Sequence, residues 1–159
     1  MYINIFSKAA VRPRSLFCCV KGGETMAKSK YETHVQDYGW QGWKQNGQTA
    51  GTSGEAKRLE AIKINLENAP GYKVEYRVHV QYNGWQEWKS NGEVAGTSGE
   101  GKRLEAIEIK LENAPGYKVE YRVHVQDYGW QEWKFDGQMA GTTGESKRLE
   151  GIEVRVVKR

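Results

Sequence analysis

Tryptophan, histidine and arginine recur in this sequence at one fixed interval, and any chemistry must come from them. Trp40, Trp85 and Trp130 stand 45 residues apart, as do His34, His79 and His124, and Arg58, Arg103 and Arg148. Each of these tryptophans follows a glycine and precedes an amide, Gln41, Gln86 or Gln131. An indole face beside an amide suits stacking on a sugar ring or an apolar ligand patch, with hydrogen bonds at its edge. Further along each copy, a Gly-Thr-Ser-Gly or Gly-Thr-Thr-Gly loop carries Thr52, Thr97 or Thr142 just ahead of Lys57-Arg58, Lys102-Arg103 or Lys147-Arg148. Backbone N–H groups and hydroxyls in such a loop can cradle an anion. It lacks the strand-to-helix setting of a nucleotide loop, however, and a plain turn accounts for it equally.

Three histidines could in principle hold zinc. Each lies on the polar side of an alternating strand, so the three should diverge, and solvated or ligand-contacting histidines are expected rather than a metal site. The Arg-Leu-Glu of each copy, such as Arg103 and Glu105, is expected to be a same-face surface ion pair of little energetic weight. Catalysis is not expected. It needs different groups in different roles, and three near-identical copies offer no unique pocket. No thiol follows Met26, and no cofactor is implied.

The elements that must position these residues follow from the period. The repeats can be cut as 31–75, 76–120 and 121–159, with no residue gained or lost between copies. In VEYRVHVQ, Val74, Tyr76, Val78 and Val80 alternate with polar residues, the pattern of a strand with one buried face. In RLEAIKINL, Ile62, Ile64 and Leu66 alternate while Leu59 is out of phase. The small residues Ala61, Ala106 and Gly151 mark the phase change, where a β-bulge is expected. Pro70-Gly71 and Pro115-Gly116 suit type II turns, so these two strands are expected to form a hairpin across the repeat boundary. Asn46-Gly47, Asn91-Gly92 and Asp136-Gly137 are two-residue hairpin signals.

No helical periodicity appears. Strands in triplicate point to a closed, pseudo-threefold all-β domain, a β-prism in preference to a β-trefoil. The strand near Tyr31 should then pair with the C-terminal strand through Ile152, Val154 and Val156. The paired tryptophans, Trp40 with Trp43, Trp85 with Trp88 and Trp130 with Trp133, are three apart, which on a strand sends them to opposite faces. One of each pair can therefore lie in the core while the other is exposed: either both indoles are structural, or Trp40, Trp85 and Trp130 face outward to a ligand.

Residues 1–25 contain both cysteines and no part of the repeat. Lys8, Arg12, Pro13 and Arg14 break every apolar run, so the segment does not read as a secretory signal. Lys21 to Met26 is what a translated ribosome-binding site followed by a start codon would spell, so translation is expected to begin at Met26. Residues 26–159 then form one three-repeat domain. Of the chain's net charge of +4, the first 25 residues supply +3. The remainder has no basic footprint for nucleic acid, and no stretch is long enough to insert in a membrane.

The run of HVQ, GWQ with a second tryptophan, DG or NG, AGTTG and RLEAIKI resembles the clostridial hydrophobic repeat with its conserved tryptophan, the ChW repeat, in three tandem copies. The resemblance implies a secreted or surface-located protein that binds carbohydrate or another surface partner. The expected function is a non-catalytic, lectin-like multivalent module with three Trp-centred sites. The candidate residues are Trp40, Gln41, Thr52 and Arg58, then Trp85, Gln86, Thr97 and Arg103, then Trp130, Gln131, Thr142 and Arg148. Two alternatives stand beside it: a protein-interaction, self-associating or virion-structural module, and capture of a small anion by the Gly-Thr loops. The sequence assigns no compartment.

Overall fold

The computed structural model describes residues 26–159, and the expectation of an upstream-start artefact at 1–25 lies outside them. Each repeat contributes five strands. The first holds β1 (Lys28–Val35), β2 (Gly39–Trp40), β3 (Lys44–Gln45), β4 (Ala50–Gly51) and β5 (Leu59–Glu67). The second holds β6 (Lys73–Val80), β7 (Gly84–Trp85), β8 (Lys89–Ser90), β9 (Val94–Gly96) and β10 (Leu104–Glu112). The third holds β11 (Tyr117–Val125), β12 (Gly129–Trp130), β13 (Lys134–Phe135), β14 (Met139–Gly141) and β15 (Leu149–Lys158). The described residues contain no helix and form three five-stranded sheets.

Alternation drives the long strands as expected: β6 buries Val74, Tyr76, Val78 and Val80 and leaves the residues between them partly exposed. The pairing of those strands departs from expectation. Within each repeat the two long strands pair with each other, β1 with β5, β6 with β10 and β11 with β15, all antiparallel. The Pro-Gly turn forms, with the Tyr72 N–H donating to Ala69 O at 3.1 Å and Gly71 at φ +82°. It joins no hairpin, and instead carries the chain from one sheet into the next. Turn chemistry fixes the local bend; which strands pair afterwards is decided by how their apolar faces meet in the core.

The Asn-Gly turns follow the same rule. At Asn91 (φ +40°) with Gly92 (φ +89°), and at Asp136 (φ +36°) with Gly137 (φ +85°), the chain takes the expected doubly positive conformation, whereas at Asn46-Gly47 only the glycine has positive φ. Yet β8 pairs with β6, while β9 leaves to pair with β5 of the first repeat, Ala95 opposite Ile62. Likewise β14 pairs with β10, and β4 pairs with β15. Each repeat thus lends its short strand to the sheet of the preceding repeat, and the first lends to the third.

The C-terminal strand pairs with β11 and β4, not with β1 as expected. First and last strands still meet. The Ser29 hydroxyl and the Gly47 N–H each donate to Val154 O at 2.8 Å, and the Val156 N–H donates to Asn46 Oδ1 at 2.9 Å.

The bulge lies where the small residues placed it. Register shifts between His34 and Val35, which face Ala61 and Leu59, leaving Glu60 as the extra residue; the second and third repeats do the same at Glu105 and Glu150. A β-carbon on Gly151 would stand 3.1 Å from Thr52 O and 3.4 Å from Trp130 Cη2. Ala61 and Ala106 show that a methyl fits at this position. Gly151→Ala should therefore cost under about 1 kcal/mol, while Gly151→Val should cost about 1–3 kcal/mol. Equal thermal midpoints for the two variants would show a loose strand end there.

Tyr31, Tyr76 and Tyr121 are the largest fully buried side chains, packed among Val and Ile from all three repeats. Their hydroxyls donate to the carbonyls of Gln48, Glu93 and Gln138. Burial pushes Tyr31 and Tyr76 up to about 12, and Tyr121 higher, because a phenolate there would lose its water. The unfolded chain releases these protons near the ordinary value of about 10. Stability is thus fully present below about pH 10 and is lost as pH rises through about 12. Thermal midpoints measured from pH 9 to 12 should fall steeply in that window, with the last tyrosinate absorbance appearing together with unfolding. Ionisation of all nine tyrosines in a still-folded protein would contradict this.

Candidate functional site

Each repeat builds one outward face from the bulge, the short Trp strand and the two long strands. Strand β2 places Trp40 opposite His34, its ring edge-on at 5.4 Å and 84°. Trp85 with His79 and Trp130 with His124 repeat this at 5.4 Å. The imidazole Nδ1 of each histidine lies 3.0–3.1 Å from the carboxylate of the bulge residue, Glu60, Glu105 or Glu150. At His79 the contact is directed as a hydrogen bond; at His34 and His124 the distance holds but the direction is poorer. The other oxygen of each carboxylate accepts from Arg58, Arg103 or Arg148 Nε at 2.7–2.8 Å.

These carboxylates are only 5–6% exposed, so the Arg-Leu-Glu motif is not the surface ion pair the sequence suggested. The bulge sets the glutamate on the same face as the histidine, where histidine and arginine cover it. A carboxylate that buried depends on its partners, since losing one would leave uncompensated charge.

The tryptophan expectation is corrected too. Neither member of any pair lies in the core, and Trp43 is 43% exposed. Residues 41–43 are not strand, so the two-residue alternation does not apply to them. Both indoles instead share one cation. Lys63 Nζ lies 4.3 Å from Trp40 and 5.4 Å from Trp43. Arg77 lies 4.8 and 5.0 Å from Trp85 and Trp88, and Arg122 lies 4.9 and 5.0 Å from Trp130 and Trp133. Such contacts orient the rings as well as stabilise them.

Sequence reasoning missed these cations because they change strands. Glu32 faces Lys63 in the first repeat, whereas Arg77 faces Glu108 and Arg122 faces Glu153 in the others. The ion pair persists at 2.9–3.1 Å with its charges exchanged, and the cation stays over the tryptophans. A column-by-column comparison of the copies shows only a mismatch; pairing the columns would have revealed the exchange.

The remaining candidates fall into two groups. The side chains of Gln86 and Gln131 accept the N–H of Gly96 and Gly141 at 2.7 and 2.9 Å, while Gln41 is exposed. The threonines join a different repeat from the one expected. The Thr97 N–H donates to Glu60 O at 3.0 Å, Thr142 to Glu105 O at 3.0 Å, and Thr52 to Glu150 O at 2.8 Å. Thr97 therefore sits with Trp40 and Arg58, Thr142 with Trp85 and Arg103, and Thr52 with Trp130 and Arg148. The loop cations are engaged already: Lys57 pairs with Asp37 at 2.7 Å and Lys147 with Asp127 at 2.6 Å.

Where the third face meets β14 runs an open groove of about 440 Å³, lined by Trp130, Gln131, Glu132, Lys134, Met139 and Gly141. Among the described residues no cluster of His, Cys, Asp or Glu is placed to hold a metal, and no helix is long and apolar enough to cross a membrane.

Fold and faces together define a tandem-repeat, all-β protein that keeps its tryptophans outside its core and anchors them with histidine and a cation. The family described as Clostridial hydrophobic W (ChW) matches at residues 34–68, 79–113 and 124–158, more than half of the chain, and the chain belongs to that family as three tandem copies. No curated protein and no solved structure matches it.

Proposed function

We propose that this chain is a non-catalytic, multivalent binding module whose three tryptophan faces take a repetitive carbohydrate or cell-surface component. One observation carries the reading: six tryptophans, the side chains best able to fill a core, are all kept at the surface and held there by shared cations. Fixed, partly exposed indoles cost little ordering entropy on binding and suit the apolar face of a sugar. The cations over them are neutralised by cross-strand carboxylates, which favours a neutral ligand over a small anion.

The finer architecture belongs to the same proposal. The cyclic lending of strands, from second repeat to first, third to second and first to third, supports a closed, pseudo-threefold β-prism with one face per side. Three weak sites so arranged gain through effective concentration on a repetitive target.

The protein-partner alternative draws on Phe135 and Met139, exposed apolar residues of the third repeat. Glycan-array binding that free sugar competes away supports the carbohydrate reading. A stoichiometric protein complex indifferent to sugar would replace it.

A further inference from the structure

The three faces are not equivalent, and the groove beside the third shows one difference between them. Met139 forms one wall and is 39% exposed; the first repeat has Thr49 at this position, its hydroxyl donating to Glu153 at 2.6 Å, and the second has the shorter Val94. Trp130 supplies a second apolar surface. Gln131 Oε1 is held by the Gly141 N–H, so its Nε2 is the end left to donate. Lys134 and Glu132 have no ion-pair partner among the described residues, in contrast to the paired charges under the tryptophans. About 440 Å³ falls within the range of small-ligand sites, roughly 300–1,000 Å³.

We infer that this groove is a subsite for a 2-acetamido sugar, an inference that rests on the carbohydrate reading above. The acetamido group joins a methyl to an amide, and the groove offers a partner for each. The methyl meets the Met139 thioether, a deformable apolar contact, while the pyranose face lies on Trp130. The amide carbonyl accepts from Gln131 Nε2, and ring hydroxyls exchange hydrogen bonds with Lys134 and Glu132. A plain hexose carries its 2-hydroxyl where the acetamido nitrogen would be and has nothing in place of the carbonyl and methyl, so the Met139 wall and the Gln131 donor go without partners, and that loss is the source of discrimination.

The test is calorimetric titration of the full chain with triacetylchitotriose and with cellotriose, which share linkage and length and differ in the acetamido group. The native chain should bind the acetylated trimer about tenfold more tightly. Met139→Thr, which recreates the first repeat's residue at an exposed position, should bring the two within about twofold. Equal affinities in the native chain would overturn the subsite and leave the carbohydrate reading standing. A preference that survives Met139→Thr would also overturn it, since the discrimination would lie elsewhere. Binding of neither trimer overturns it as well, and the carbohydrate reading is then decided by the array alone.

Discussion

Gly96→Ala should lower the unfolding free energy by about 3–5 kcal/mol, whereas Gly99→Ala, three residues along the same loop, should cost only about 1 kcal/mol. Both glycines have positive φ, +98° and +83°, so both variants carry the same kind of backbone strain. They differ in what a β-carbon would meet. At Gly96 it would lie 2.4 Å from Glu60 O and 2.9 Å from Ala61 Cα; at Gly99 nothing lies within 4 Å. Glu60 O cannot simply retreat, because it accepts the Thr97 N–H and belongs to the bulge that buries its own carboxylate. Relieving the clash means separating β9 from β5, the contact that joins the second repeat to the first. The same approach recurs at Gly51 and Gly141, 2.5 and 2.4 Å from Glu150 O and Glu105 O. Urea unfolding of the two variants decides the matter, and equal losses would mean that the seam yields without cost.

That seam also explains what the sequence could and could not disclose. The period, the buried alternation of β6, the turns and the bulge were all legible, because each is set by residues within a few positions of one another. Strand partners were not. Pro70-Gly71 and Asn91-Gly92 specify a bend, and a bend ends in a hairpin only if the next strand's apolar face belongs to the same sheet. Here the buried faces of β5 and β6 meet across the core from different sheets.

The site was legible in its residue types and hidden in its groupings. Trp40 and Arg58 were recognisable within one copy, but their threonine, Thr97, arrives from the next. Glu60 reads as a surface residue because a charged residue beside arginine usually is one; only the bulge, which sets it beneath His34 and Arg58, says otherwise. The strand rule that sends Trp40 and Trp43 to opposite faces does not govern the irregular segment that Trp43 occupies.

The triple replacement of Trp40, Trp85 and Trp130 by alanine should abolish glycan binding in a protein that stays folded, while Trp85→Ala alone should remove about one third of the capacity. Folding should survive because these indoles pack on the sheet exterior: Trp85 touches His79 at 5.4 Å and Arg77 at 4.8 Å, and neither contact reaches the tyrosine-centred core. Arg77 keeps its pair with Glu108 at 2.9 Å and its stacking on Trp88 when Trp85 is gone. For a plain hexose polymer the three faces should count alike, so a soluble monovalent fragment should report a fall in stoichiometry with unchanged affinity per site. On a polyvalent surface the loss should be far steeper than one third, since each missing face removes one factor of effective concentration. Circular dichroism separates the outcomes. A folded triple variant that binds normally would move the site to Trp43, Trp88 and Trp133, and an unfolded Trp85→Ala would show that the exterior indole holds its sheet together.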